Sequence, residues 1–189
     1  YRYEPVGNVA TITDTTNSGQ VQSFGYDALD RLTSAGTITV GLGIYQHRYS
    51  YDPTGNISTT SRYEAGQWIT NTYRYTDELH VHGVTSLTNG WQFSYDENGN
   101  MISREDRGTY VQLFDVQNRL VMVTDTQHMS VTRFVYNGDG QRVLTIYPDG
   151  SKVAFVGEHY EVEGDAARSY YFFGAQRVAM RAADGAADE

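Results

Sequence analysis

The fold is decided by Phe93-Ser94-Tyr95-Asp96-Glu97-Asn98-Gly99-Asn100-Met101, a stretch that predicts one β-hairpin. Phe93 and Tyr95 are two residues apart and therefore share one face of a strand. Asp96 is suited to accept hydrogen bonds from the backbone ahead of it, and Asn98-Gly99 tolerates the left-handed backbone of a tight turn. A second strand then begins at Met101.

The same unit recurs along the chain. Its other copies span residues 1–9, 24–32, 49–57, 113–120 and 134–143, while residues 73–77 keep the aromatic pair but lack the turn glycine. The anchor aromatic residues are Tyr3, Tyr26, Tyr51, Tyr75, Tyr95, Phe114 and Tyr136, at intervals of 19 to 25 residues. Such a period is typical of repeat architectures. We therefore predict an all-β fold, a curled antiparallel sheet of consecutive hairpins with about 14 to 16 strands.

Within each unit, particular positions are expected to form the turn and the anchor ring. These structural positions are Tyr3, Gly7, Asn8, Tyr26, Asp27, Arg31, Tyr51, Asp52, Gly55, Asn56, Tyr95, Asp96, Gly99, Asn100, Phe114, Asp115, Arg119, Tyr136, Gly140 and Arg142. The arginines that follow the turns, together with Arg177, are predicted to lie over tyrosine rings or to pair with a nearby aspartate.

The unit aromatic-x-Tyr-Asp-x-x-Gly-Asn-hydrophobic resembles the YD repeat of RHS-type proteins. That group includes bacterial Rhs polymorphic toxins, the C component of insecticidal Tc toxins, and teneurins. The run Tyr-Tyr-Phe-Phe-Gly-Ala-Gln-Arg-Val-Ala-Met-Arg at residues 170–181 also resembles the segment that leads into the core of bacterial Rhs proteins. We therefore expect one continuous repeat array over residues 1–181, cut from a larger shell, and a flexible acidic tail over residues 182–189.

The resemblance also implies a function. YD repeats of this group form a hollow shell that encloses a C-terminal toxin or effector polypeptide. The expected partners are therefore the rest of the shell and that cargo, in a protein of bacterial origin that is secreted or displayed at the cell surface. No residue of such a shell needs to be catalytic, and no cofactor is expected. One sheet face is expected to be polar and not to adhere to cargo.

Composition narrows the function classes. The chain has 16 Tyr but few aliphatic residues, which suits a sheet with water on much of both faces. Its net charge of −9 disfavours nucleic-acid binding. It has no cysteine and no apolar run of membrane-span length. An open ribbon of this kind has unpaired edge strands, so we expect edge-to-edge self-association.

Several motifs could carry chemistry, but each also fits a structural interpretation. The loops at residues 96–100 and 137–140 resemble calcium loops with the glycine misplaced, so we interpret them as turns. Asp52-Pro53-Thr54-Gly55 resembles the Asp-Pro-x-Gly signature of the Rhs autoprotease, yet it lies inside an ordinary repeat and is interpreted as a turn. The carboxylates recur in every unit, which indicates structure rather than a catalytic pair. We therefore predict no enzyme.

Two further interpretations remain open. His80-Val81-His82 would place two imidazoles on one strand face, which is half of a metal site, but the sequence supplies no third ligand and we predict no metal. Trp68 and Trp91 could stack against sugars, so a carbohydrate-binding or adhesion module is the alternative function. Cross-strand packing is the simpler role for these rings.

Overall fold

The computed structural model describes residues 1–16, 19–37 and 45–183, and these form strands and turns only. They contain 18 antiparallel strands, each paired with its neighbours in sequence. The all-β prediction is confirmed, with more strands than expected because two-residue pairings such as β1 and β8 also occur. With no helix in the described ranges, none of these residues lies in a helix able to cross a membrane.

The chain divides into two compact units, Tyr1–Gln92 and Phe93–Glu189. The first unit contains eight complete strands and the first residue of a ninth. These are β1 (Arg2–Tyr3), β2 (Val9–Asp14), β3 (Gln20–Tyr26), β4 (Leu32–Thr37), β5 (Gln46–Tyr51), β6 (Ile57–Glu64), β7 (Gln67–Arg74) and β8 (Ser86–Leu87), followed by β9 (Gln92–Tyr95).

The second unit continues the same hairpin order. Its strands are the rest of β9, then β10 (Met101–Glu105), β11 (Thr109–Phe114), β12 (Leu120–Asp125), β13 (Ser130–Tyr136), β14 (Arg142–Ile146), β15 (Lys152–Val156), β16 (Tyr160–Glu163), β17 (Ala166–Phe173) and β18 (Gln176–Ala183). Because β18 extends to Ala183, the first two residues of the expected tail lie in a strand, and residues 184–189 lie outside the described residues.

Each unit has one face that carries the anchor aromatic residues, which we call the anchor face. In the described residues, only four side chains are buried, at 3% to 7% exposure: Leu87, Val153, Thr37 and Thr145. The strand register places all four on the anchor faces, for example Thr145 and Val153 in one cross-strand row with Phe134. Burial is therefore confined to one side of each sheet, and no two-sided core forms.

The opposite face of the first unit is polar. One of its cross-strand rows consists of Ser34, Arg48, Ser61 and Thr70. The neighbouring row includes Gly36, where an added Cβ would lie 2.9 Å from the carbonyl oxygen of Tyr45, so this strand pair needs a residue without a side chain. The expected polar face is thus present in the first unit. In the second unit the expectation is wrong, because the opposite face there is largely aliphatic.

Strand β18 is the exposed edge of the second unit. All eight of its residues are exposed, and among the described residues it pairs only with β17. Val178 and Met180 are 59% and 58% exposed on this edge. An edge that is long, lacks proline and carries apolar side chains is a template for pairing with another chain.

We predict that the isolated chain self-associates through this edge. Sedimentation velocity over a concentration series should show a mass that rises with concentration. The double variant Val178→Lys, Met180→Lys should lower that mass, because edge lysines oppose strand addition. Val116→Lys, at a fully exposed turn residue, is the matched control and should leave the association unchanged. A wild-type chain that stays monomeric at every concentration would contradict the prediction.

Candidate functional site

The best-defined site of the chain is the repeated turn between the two strands of each hairpin. In the copy at Asp27, the Asp27 N–H donates to the carbonyl of Arg31 over 2.9 Å and the Asp30 N–H donates back to the carbonyl of Asp27 over 3.1 Å. Asp30 has a positive φ of 59°. This is a three-residue hairpin loop with a type I turn and a left-handed bulge residue. The same backbone pair closes the turns that begin at Glu4, Asp52, Asp96, Asp115 and Asn137.

The first side chain of the turn holds the loop backbone. In Asp52, Oδ1 accepts hydrogen bonds from the N–H groups of Thr54 and Asn56, both over 2.9 Å. Asp27, Asp96 and Asp115 make the same pair of bonds to the residues two and four positions ahead. Asn137 does so with its amide oxygen, so a neutral acceptor serves at this position as well as a carboxylate.

Consecutive turns are also joined to each other. The left-handed position is glycine in most copies but Asp30 and Asn118 in two of them. Asp30 accepts a 2.7 Å hydrogen bond from the Asn8 side chain of the preceding turn, and Asn118 accepts a 3.0 Å bond from that of Asn100. Aspartate and asparagine tolerate a positive φ better than other side chains. A non-glycine residue therefore stands at this position where it bonds to the neighbouring hairpin.

Arg31 and Arg119 connect each turn to the next anchor ring. The Arg31 guanidinium lies 2.7 Å from the Asp27 carboxylate and 4.4 Å from the ring centre of Tyr51. Arg119 lies 2.7 Å from Asp115 and 4.9 Å from the ring of Tyr136. The predicted pairing with aspartate and the predicted stacking therefore occur together. Arg142 lies over Phe134 and Phe155, and Arg177 over Tyr170.

These contacts change the titration of the turn carboxylates. The side-chain hydrogen bond from Arg31 lowers the pKa of Asp27 below its usual value. Arg119 lowers the pKa of Asp115 in the same way. At Asp52 the Thr54 hydroxyl is the largest cause of the lowered pKa. All three carboxylates are therefore favoured in the ionised form.

The anchor tyrosines supply a link that the sequence analysis missed. The hydroxyl of Tyr51 donates to the carbonyl of Leu32 over 2.8 Å, and that of Tyr136 donates to Leu120 over 2.8 Å. Tyr26 and Tyr75 make equivalent bonds to Val9 and Ile57. In every case the acceptor is the first residue of the returning strand in an earlier hairpin. All four acceptors, at Val9, Leu32, Ile57 and Leu120, stand beside a register shift.

Other predicted residues do not form a common site. His80 and His82 lie in a loop and not on a strand, so the predicted shared strand face is wrong. His80 Nδ1 is 2.8 Å from Asp77 Oδ2, whereas His82 Nδ1 is 2.6 Å from Asn56 Oδ1. Each imidazole therefore has its own hydrogen-bond partner, and the two rings do not share one site. Within the described ranges, no group of three or more His, Asp or Glu side chains is placed to hold a metal ion.

Trp68 lies at the end of a shallow groove of about 180 Å³ on the opposite face of the first unit. The guanidinium of Arg48 lies 4.0 Å from the centre of the indole, and the Tyr63 ring packs against it at 5.4 Å. One face of the Trp68 ring is therefore occupied by a protein side chain. Trp91 follows the turn at Gly90, before β9, and is separate from this groove. A role for either ring in glycan stacking stays a prediction.

We predict that removing the anchor hydroxyls loosens each unit. Tyr51→Phe and Tyr136→Phe should each lower the free energy of unfolding by about 0.5–1.5 kcal/mol, because a backbone carbonyl loses its donor. Urea unfolding measures the change. Tyr63→Phe is the control, since its hydroxyl bonds to none of the described residues, and should have little effect. Equal losses in all three variants would contradict the assigned role of the anchor hydroxyl.

We also predict an acid-dependent loss of stability at the Asp–Arg turns. A carboxylate with a lowered folded-state pKa stabilises fully above its unfolded pKa of about 3.9, and this stabilisation is lost as the pH falls through the folded value. The double variant Asp27→Asn, Asp115→Asn keeps the acceptor oxygen, as Asn137 does, but removes the titration.

The urea midpoint should therefore fall less between about pH 6 and about pH 3 in this double variant than in the wild type. Asp139→Asn is the control, because the Asp139 carboxylate pairs with no arginine in the described part of the chain. If the urea midpoint of the double variant falls as much as that of the wild type, these two carboxylates are not responsible for the acid-dependent loss of stability.

Comparison with solved structures gives distant similarities. A mutant Tc holotoxin pore of Photorhabdus luminescens is 15% identical with a TM-score of 0.46, and the match covers 99% of this chain and 13% of that one. The TcdB2–TccC3–Cdc42 structure is 15% identical with a TM-score of 0.47, covering 99% and 14%. The TcdB2–TccC3 structure is 15% identical with a TM-score of 0.46, covering 100% and 14%. This chain spans only that small part of their length.

Comparison with sequences gives a family. No curated protein sequence matches the chain. The family model described as Teneurin YD-shell matches residues 3–164, which include every turn and anchor ring of the repeats described above. The match covers most of the chain, and the chain therefore belongs to the teneurin YD-shell family.

Proposed function

We propose that this chain is one segment of a hollow YD-repeat shell that encloses a polypeptide cargo. The cargo would be a toxin or effector carried C-terminal to the shell in the same protein. Residues 1–181 would form a continuous stretch of the wall and would pair with further hairpins of that wall. The protein would be secreted or displayed at the cell surface of a bacterium. Family membership over residues 3–164 supports the shell role.

The observation that carries this proposal is the link between successive hairpins. Each of four anchor hydroxyls donates to a carbonyl in an earlier hairpin, and the Asn8 and Asn100 side chains bond the turn that follows. Contacts of this kind depend only on the adjacent repeat, as in other repeat proteins. A wall can therefore be extended by adding hairpins, without a central core.

The polar groups of the repeats support a structural role as well. Oxygens of Asp27, Asp52 and Asp115 accept backbone hydrogen bonds in their own turns. Two of these carboxylates also pair with an arginine of the same turn. The recurring acidic groups thus serve the wall itself, and containment of the cargo requires no chemistry from them.

Limited proteolysis of the natural full-length protein tests the proposal. We expect the cargo polypeptide to be cut much more slowly inside the intact protein than after separate expression. Asp27→Ala with Asp115→Ala should speed cargo cleavage, because unsupported turns open the wall. Val116→Ser, at a turn residue whose side chain is fully exposed, is the control and should not. Cargo that is cut equally fast in the intact protein and alone would overturn the proposal.

A further inference from the structure

The opposite face of the second unit carries aliphatic side chains, of which several are exposed and the others half-buried. Val111 and Leu113 on β11 are 45% and 52% exposed, and Val135 on β13 is 42% exposed. The strand register continues this surface from Val135 to Leu144 and then to Ala154. We call the surface the aliphatic face and define it by Val111, Leu113, Met122, Val135, Leu144 and Ile146. A contiguous exposed apolar surface in a soluble protein commonly marks an interaction site.

Two cations belong to this face, one within the apolar surface and one at its end. Arg133 stands between Val131 and Val135 along β13, since alternate residues of a strand share a face. Across the strands, Arg133 is paired with Met122 on one side and with Ile146 on the other. Ile146 is paired in turn with Lys152, the only lysine of the chain. Arg133 therefore lies within the aliphatic face, whereas Lys152, the first residue of β15, lies at its end beside the hairpin turn.

Neither cation has a carboxylate partner among the described residues. Both side chains are exposed, and neither takes part in an ion pair. On the anchor face of the same unit, Arg104 pairs with Asp106 and Arg168 with Glu161, whereas Arg142 and Arg177 lie over aromatic rings. In a chain of net charge −9, the aliphatic face thus carries two cations that form no ion pair, with the acidic Glu105 only at its β10 edge. Its charge is complementary to a partner with carboxylates.

We propose that the aliphatic face docks an extended, acidic and apolar polypeptide segment. Along β13, Val131, Arg133 and Val135 share this face. A complementary extended segment has an apolar, then an acidic, then an apolar side chain on the side that contacts them, with one residue between each. The inference rests on the proposed function, since it assigns the contacting chemistry of the enclosed cargo. The cargo would be held in extended form by apolar contact and fixed in register by its carboxylates.

The position of Arg133 favours a polypeptide over a lipid surface. A bilayer in contact with Val131, Val135 and Ile146 would bring the Arg133 guanidinium towards hydrocarbon, which is costly for an unpaired charge. Basic groups that bind anionic headgroups work best at the rim of an apolar surface, where the headgroups lie. A polypeptide carboxylate, in contrast, reaches the cation within the apolar contact.

Fluorescence anisotropy with labelled synthetic peptides tests the proposal. The probe is a peptide of about a dozen residues that repeats Leu-Ser-Glu-Ser, so that Leu and Glu alternate on one side of the extended chain. It should bind the wild type saturably. The same peptide with Lys in place of Glu, or with Ser in place of Leu, should bind about tenfold more weakly or not at all.

Substitutions on the aliphatic face test the contribution of charge and the contribution of apolar contact to peptide binding separately. Arg133→Glu should weaken binding of the Glu peptide about tenfold and should favour the Lys peptide. Arg107→Glu, the same charge change in the loop between β10 and β11, is its matched control. Leu113→Ser should weaken both peptides, and Val116→Ser is its control. Because all four side chains are exposed, thermal unfolding should confirm that each variant remains folded.

Other occupants of the face would overturn the proposal. Binding of the wild type to phosphatidylserine-containing vesicles without binding of the Glu peptide would identify a lipid surface. Self-association that Leu113→Ser abolishes, again without peptide binding, would identify a second copy. If the peptide fails to bind while the cargo stays protected in the full-length protein, this inference fails and the shell role stands. If the peptide binds but the cargo is unprotected, the shell role fails instead.

Discussion

The structure depends on one acceptor oxygen, which the first side chain supplies in five of the repeated turns. In Asp52 this oxygen takes the N–H groups of the residues two and four positions ahead, which fixes a bulge at the point where the strand returns. The bulge places the carbonyl of the first returning residue within reach of a later tyrosine hydroxyl, as Tyr75 and Ile57 show. Local turn chemistry thereby sets the contact that holds one hairpin to another. Few side chains are buried, so these polar links add to the packing of the half-buried anchor face.

Much of the turn could be predicted from sequence because its chemistry is local. Asp, Asn and Gly at fixed offsets predict a left-handed bulge, and the arginine after Asp27 or Asp115 predicts an ion pair within one turn. The bond from Asn8 to Asp30 could not be predicted, because it depends on how two hairpins are aligned. A signal was present nevertheless: Asp30 and Asn118 replace glycine at the strained position, and each follows a turn that ends in asparagine.

The predictions that failed were those that required knowledge of the surroundings. Alternation in His80-Val81-His82 suggests a strand, but hydrogen bonds to Asp77 and to Asn56 hold the segment as a loop. The chemistry of the face opposite the anchor residues was also not predicted from the sequence. Apolar residues occur at odd and even positions of β12 to β15, so periodicity alone does not separate the half-buried anchor face from the exposed one.

The order in which the strands pair allows the chain to fold while it is being synthesised. Each strand described here pairs with strands that adjoin it in sequence, so every hairpin finds its partner soon after it leaves the ribosome. Structures with such local pairing close short loops only and avoid the slow search that long-range sheets require. The donor hydroxyl of Tyr51, for example, emerges after its acceptor at Leu32 has already been synthesised. The wall can therefore assemble from its N-terminal end during translation, with each new repeat locking onto a finished one.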